Sequence, residues 1–341
     1  MPEPSLTGLT ASEISDLVGI KEKYRSRQIF DWLKRGADSF DEMTNLPAPL
    51  RQKLSESFNI FSSAVETAES DSENTAKAAI RLHDGSLIEA VLLSDENDRF
   101  TACISSQVGC AMGCTFCRTG KMGFKRNLSS AEIVEQFIHL QLRYGEISNI
   151  VYMGMGEPFM NTDELIKSLK FFTGQDGLGM SARRITVSTC GIVEGIRRLG
   201  EEAPPVRLAV SLVSADNETR SKIMPVTKSN NLTDLKEALL DYQRAGGRRI
   251  TLECAIMGGI NDKREDAAAI ADWSDGLSVN VNVIPWNPAS EIDYREPEKR
   301  ALEAFCRELE RKKILYTRRY RRGRGLNAAC GQLATNLENQ D

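Results

Sequence analysis

The 341-residue sequence predicts an α/β fold, a partial (β/α)6 TIM-like barrel with a small N-terminal helical domain and a β-hairpin extension. Three observations lead there. From Phe100 onward short apolar runs alternate with amphipathic stretches, and such a rhythm implies a parallel sheet. The runs are Phe100 to Ser105, Asn149 to Met153, Arg184 to Thr189, Val206 to Val213, Arg249 to Met257 and Val279 to Pro285. Ahead of them, Asp84-Gly85 lies between apolar runs as a hairpin turn, with Leu87 to Leu93 as the return strand. Six βα units are too few to close an eight-fold barrel. They suit a partial one whose open side admits a large substrate, with its chemistry at the C-terminal strand ends.

Taken in order, Thr10-Ala11-Ser12-Glu13 opens a first helix, and Ser26 to Arg35 forms a second with Ile29, Phe30 and Leu33 on one side. Their surface mixes Lys21, Lys23, Arg25, Arg27, Lys34 and Arg35 with acids, as a solvated face or an RNA-docking module would. Ser62 to Lys77 is small, polar and acidic and reads as a connector or exposed loop. Past the barrel's first strand, a helix begins at the capping box Ser129-x-x-Glu132 and closes near Gly145. The expected divisions are 1–65 helical, 66–99 connector and hairpin, 100–325 core, and 326–341 tail.

Composition narrows the class. With 44 Lys and Arg against 48 Asp and Glu, the net charge of -4 gives no global sign of nucleic-acid binding, so RNA contact must come from local patches. No stretch resembles a signal peptide or a bilayer span, so a cytoplasmic protein without membrane contact is expected. Eight cysteines in that setting point to reduced thiols, metal ligation or redox catalysis rather than a disulfide framework.

Three of those cysteines, Cys110, Cys114 and Cys117, stand in a C-x3-C-x2-C run. Structural zinc wants four protein ligands, and no fourth Cys or His lies nearby. The spacing suits three corners of a [4Fe-4S] cubane, which leaves one iron free to bind and reduce a ligand. Zinc with a remote ligand, or plain buried cysteines, are the alternatives. With Phe116 before the last cysteine, the run resembles the motif of radical S-adenosylmethionine (SAM) proteins.

Other residues at strand ends fit that ligand. Gly154-Met155-Gly156-Glu157-Pro158 follows a strand directly: its glycines allow close backbone approach, and Glu157 can pair with the ammonium of SAM. Ser188, Ser211 and Asn287 can each bond its ribose or carboxylate, or simply satisfy their own loops. The tail holds Arg318, Arg319, Arg321, Arg322 and Arg324 around Tyr320, a local basic exception suited to phosphates and unpaired bases, and then Cys330.

The set SSQVGCAMGCTFC, GFKRNL, YMGMGEP, VSTCGI, RSKIMPV, VIPWNP and AACGQL is similar to that of the RlmN/Cfr family of radical SAM RNA adenine methyltransferases, over roughly Glu89 to Leu333. The resemblance implies methyl transfer to carbon 2 of an adenine in 23S rRNA and of the adenine 3′ of the anticodon in tRNAs. Methylation at carbon 8 is the alternative within the family, and a radical SAM enzyme with another substrate the alternative outside it. It also implies one [4Fe-4S] cluster on Cys110, Cys114 and Cys117, two SAM per turnover, and an electron donor such as flavodoxin or ferredoxin serving a monomer. SAM contacts carry over to Gly156, Glu157, Ser188, Ser211, Leu212, Val213 and Asn287.

Carbon 2 of adenine is electron-poor and cannot attack a methyl group, so a radical route is required. By the resemblance, one SAM methylates Cys330. The radical from a second SAM takes hydrogen from that methyl, and the methylene radical adds to the base. Glu89 then removes the carbon 2 proton, and Cys103 attacks the sulfur of Cys330, leaving a transient disulfide. Read without the family, Glu89 is a solvent-facing strand residue, and Cys190, Cys254 and Cys306 are core thiols. Two departures stand out. Val213 replaces a usual histidine, and Glu89 is one residue further from Cys103 than the family spacing.

Overall fold

The computed structural model describes residues 4–71, 75–95, 99–287, 292–319 and 332–333. The first helix, α1 (Ala11–Val18), starts at the expected capping box. The Glu13 amide donates to Thr10 Oγ1 at 3.3 Å, and the Thr10 amide donates to the Glu13 carboxylate at 2.8 Å. Next, α2 (Lys23–Arg35) begins slightly earlier than the sequence suggests and buries Ser26, Ile29, Phe30 and Leu33; α3 (Ala48–Ser57) then starts behind Pro47.

Four antiparallel strands follow: β1 (Ser63–Ser70), β2 (Ala76–Leu82), β3 (Leu87–Ser94) and β4 (Phe100–Cys103). The stretch from Ser62 to Lys77 is therefore not a loop, since most of it is β1 and the start of β2. As the outer strand of the sheet, β1 buries no side chain fully and packs only Val65 and Ala68 against the core, so no clear apolar alternation marks it, and acidic residues are what an exposed edge tolerates.

A short ribbon, β5 (Gln107–Gly109) with β6 (Phe124–Asn127), brackets the cysteine run and the single helical turn α4 (Arg118–Lys121). Strand and helix then alternate through α5 (Ser130–Tyr144), β7 (Ile147–Tyr152), α6 (Thr162–Thr173), β8 (Ile185–Thr189), α7 (Val193–Glu202), β9 (Arg207–Ser211), α8 (Asn217–Ile223), α9 (Leu232–Arg244), β10 (Ile250–Ile256), α10 (Arg264–Trp273), β11 (Val279–Pro285), α11 (Lys299–Arg311) and β12 (Tyr316–Arg318). Ten strands form one sheet in the order β1-β2-β3-β4-β7-β8-β9-β10-β11-β12, and from β4 onward every pairing is parallel. The expected strands are all there. Added to them is β12, whose three residues are too few to show a period.

The helical unit is seated on α5 by close approaches and one buried carboxylate. A Cβ at Gly8 would stand 2.7 Å from Ala131 Cα, and one at Gly36 would overlap the Leu142 side chain. The Glu135 carboxylate accepts from Ser5 Oγ (2.9 Å), the Ser62 amide (2.8 Å), Ser62 Oγ (3.0 Å) and Ser63 Oγ (2.5 Å), while Ser63 Oγ also meets His139 Nε2 at 3.1 Å. Burial pushes Glu135 up to about 7 despite those bonds, and burial pushes His139 down to about 4. One continuous apolar core runs from Leu6 through the sheet to Leu333.

Candidate active site

The C-terminal strand ends surround one cavity of about 190 Å³, lined by Cys110, Cys114 and Cys117 together with Gly156, Glu157, Ser188, Ser211, Val213 and Asn287. That volume exceeds what one ion needs, given that a water occupies about 30 Å³. Among the described residues no group of three or more His, Cys, Asp or Glu side chains is arranged to hold a single metal ion. The three thiols line one cavity, where a three-cysteine set suits three corners of a cubane. Burial pushes the Cys110 thiol up to about 12 and Cys114 higher still, so bare thiolates are costly here and iron ligation would relieve that cost.

The cysteine loop is clamped from both sides. The Cys110 amide donates to Gly123 O at 2.8 Å, and Gly109 must be glycine because a Cβ would come within 2.0 Å of that carbonyl. Trp286 Nε1 donates to Phe116 O at 3.4 Å, and Tyr294 OH meets Thr115 Oγ1 at 2.7 Å. A second apolar cluster built on Val213, Met224, Met257, Trp286 and Ile292 packs against Met112, Cys114 and Phe116, giving the loop a dry wall.

The GMGEP turn lies against the same loop. A Cβ at Gly154 would stand 2.7 Å from the Ile104 backbone, and one at Gly156, whose φ is +101°, 2.6 Å from Gln107. Glu157 is buried: its amide donates to Gln107 Oε1 (2.8 Å), and its carboxylate accepts from the amides of Phe159 (3.1 Å) and Cys190 (2.7 Å). Burial raises its carboxyl above the usual range, a situation an incoming ammonium would reverse.

Three expected residues behave differently. Leu212 lies outside the lining, fully buried in the main core, with its carbonyl accepting from Arg220 Nε at 3.0 Å. Val213 lines the cavity in the left-handed region at φ +61°, a costly conformation for a β-branched residue, and this is why β9 stops at Ser211. Glu89 is only 4% exposed, so the solvent-facing reading fails. It stands on β3 two residues before Val91, the partner of Cys103 on β4, which puts Glu89 and Cys103 on one face of the sheet, although neither lines the cavity.

Cys330, Tyr320, Arg321, Arg322 and Arg324 lie outside the described residues. Their neighbours are informative: Arg319 lines the cavity, and beyond Cys330 the chain rests on α4, where Thr119 Oγ1 donates to Leu333 O at 2.6 Å and Arg118 donates to Gln332 O at 3.4 Å.

Sequence reasoning missed three further residues. Cys190, read as a core thiol, lines the cavity, whereas Cys254 and Cys306 do lie in the main core. Arg220 is completely buried and donates to the carbonyls of Cys190 (2.6 Å), Ser211 (3.2 Å) and Leu212 (3.0 Å), fixing the ends of two strands. Glu253 faces the cavity from β10, and a charged residue inside the apolar run ITLECAI was the signal for it.

Comparison with known proteins agrees with this geometry. The model of the radical SAM superfamily matches residues 104–271, and that of the ribosomal RNA large subunit methyltransferase N-terminal domain matches residues 5–60. A radical SAM methyltransferase from Sphaerobacter thermophilus superposes with a TM-score of 0.92 at 37% identity, covering 96% of this chain and 98% of that one. The dual-specificity RNA methyltransferase RlmN of Geobacter sulfurreducens is 44% identical over 319 residues, 93% of this chain and 88% of its own. A Treponema denticola relative under the same RlmN name is 44% identical over 331 residues, 97% and 95% of the two chains. The chain belongs to the RlmN family. As an RlmN-family radical SAM methyltransferase it uses a [4Fe-4S] cluster and SAM, and the cavity's donor set fits both. Among the described residues, no helix is long and apolar enough to cross a membrane.

Proposed function

We propose that this enzyme methylates carbon 2 of an adenine in 23S rRNA and of the adenine 3′ of the anticodon in tRNAs. The carrying observation is the cavity itself, in which three cysteines and the SAM-type strand ends converge. When bound, the cluster and SAM supply a methyl group for a thiolate and a radical for hydrogen abstraction.

The chain's own residues would divide the remaining work. Cys110, Cys114 and Cys117 hold the cluster, Glu157 pairs with the ammonium of SAM, and Ser188, Ser211 and Asn287 bond its polar groups. Cys330 accepts the methyl on sulfur. Glu89 takes the carbon 2 proton, and Cys103 attacks the Cys330 sulfur, breaking the carbon–sulfur bond as a disulfide forms. The seating of Leu333 on α4, just after Cys117, supports a tail that returns to the cluster. The one-electron donor would be a flavodoxin or ferredoxin, the enzyme a cytoplasmic monomer.

Mass spectrometry of rRNA and tRNA digests from a deletion strain tests this reading. Loss of 2-methyladenosine from both pools is expected. Unchanged 2-methyladenosine, or loss of 8-methyladenosine instead, would overturn it.

A further inference from the structure

The search converges on Glu253. Its neighbours in the parallel register are Ser211 on β9 and Asn282 on β11, so the three side chains form one row across the inner face of the barrel. Asn282 Nδ2 donates to Glu253 Oε1 at 3.2 Å. The other oxygen, Oε2, has no hydrogen-bond partner among the described residues, although the residue is only 8% exposed and lines the cavity. A buried carboxylate oxygen without a donor is costly, and a ligand donor removes the cost. Asn287 Oδ1 in the same cavity is also unpartnered.

On the reading of this cavity as the SAM site, we propose that Glu253 is a further SAM-binding residue, whose carboxylate accepts from the vicinal ribose diol. SAM offers three donor groups: the methionyl ammonium, the ribose hydroxyls and the adenine amine. The ammonium belongs at the cluster end, where Glu157 lies close enough for its charge to act on Cys110 and Cys114. Glu253 stands instead on β10 between Ser211 and Asn282, with the Arg319 charge near it. Between the remaining groups, two carboxylate oxygens match a diol, the pairing by which an acidic residue reads ribose in dinucleotide sites. Ile284 and Trp286 also line the cavity and offer the adenine apolar surface.

The test is equilibrium binding to anaerobic protein with its cluster intact, using SAM and its 2′-deoxy and 3′-deoxy analogues as probes. Wild-type protein should bind at least one analogue about tenfold more weakly than SAM, because a site built to bond a hydroxyl rejects its absence. Glu253→Gln should bind SAM about tenfold more weakly and lose that discrimination, with unchanged cluster absorption and thermal midpoint. Asn282→Ala, which removes the group that orients Glu253, should show a smaller loss of the same kind and serves if Glu253→Gln does not fold. Full affinity in both variants, or discrimination persisting in Glu253→Gln, overturns the assignment. Failure of wild-type protein to bind SAM at all would instead strike the reading of the cavity itself.

Discussion

Lys77 Nζ stands 3.2 Å from Glu89 Oε1 across the β2–β3 pair, while Glu89 Oε2 is buried without a hydrogen-bond partner among the described residues. The carboxylate proposed as base is thus paired at one oxygen and keeps the lone pairs of the other for a proton. Glu89→Gln should stop turnover after radical addition, and denaturing gels should show a covalent RNA–protein species. Lys77→Met strands the buried carboxylate and should lower stability by about 3 kcal/mol in urea titrations. Release of methylated RNA by Glu89→Gln at the wild-type rate would remove the base from its role.

The two thiols proposed to carry and to release the methyl group should fail at different stages. Cys330→Ala should still cleave SAM reductively yet give neither methylated RNA nor a covalent adduct. Cys103→Ala, lacking the thiol that resolves the thioether, should accumulate the adduct. Intact protein mass and the yield of 5′-deoxyadenosine distinguish the two, and identical behaviour would refute the division of labour.

Arg220 serves three backbone carbonyls with one planar fork, so a point charge cannot replace it. Both Arg220→Lys and Arg220→Leu should weaken SAM binding, and Arg220→Leu should lose about 3 to 5 kcal/mol of stability because buried acceptors go unpaired. Wild-type urea midpoints in Arg220→Leu would contradict this account of the strand ends.

The Glu135 and His139 pair predicts a compensated pH response. Burial raises Glu135 from 4.5 to about 7, so between those values the folded chain keeps a proton the unfolded chain has released, and stability falls as pH rises. Burial lowers His139 from 6.5 to about 4, so across that window the unfolded chain binds the extra proton, and stability rises with pH. The two slopes oppose each other. Glu135→Gln removes the first, so its stability relative to wild type should climb between about pH 4.5 and 7, by on the order of 3 kcal/mol. A difference independent of pH, measured by urea midpoints, would argue against a buried titrating carboxylate.

The parallel strands were legible because their period is local, and so were the caps at Thr10 and Ser129, whose partners lie three residues away. What escaped depends on neighbours distant in sequence. β1 looks like a loop because an edge strand needs no apolar face, and among the described residues it pairs with β2 alone. Glu89 looks exposed until β2 and β4 flank it and Met155 Sδ comes within 3.4 Å of its amide. Arg220 and Glu253 are ordinary charged residues by composition, and only the cavity reveals them. The cysteine run stands out by spacing alone, since three cysteines lie within eight residues, and all three line the cavity.

Seating the helical unit on α5 through Gly8, Gly36 and Glu135 puts helices and barrel under a single continuous apolar core. The two are therefore expected to unfold in one cooperative step, with no stage at which the barrel stands alone.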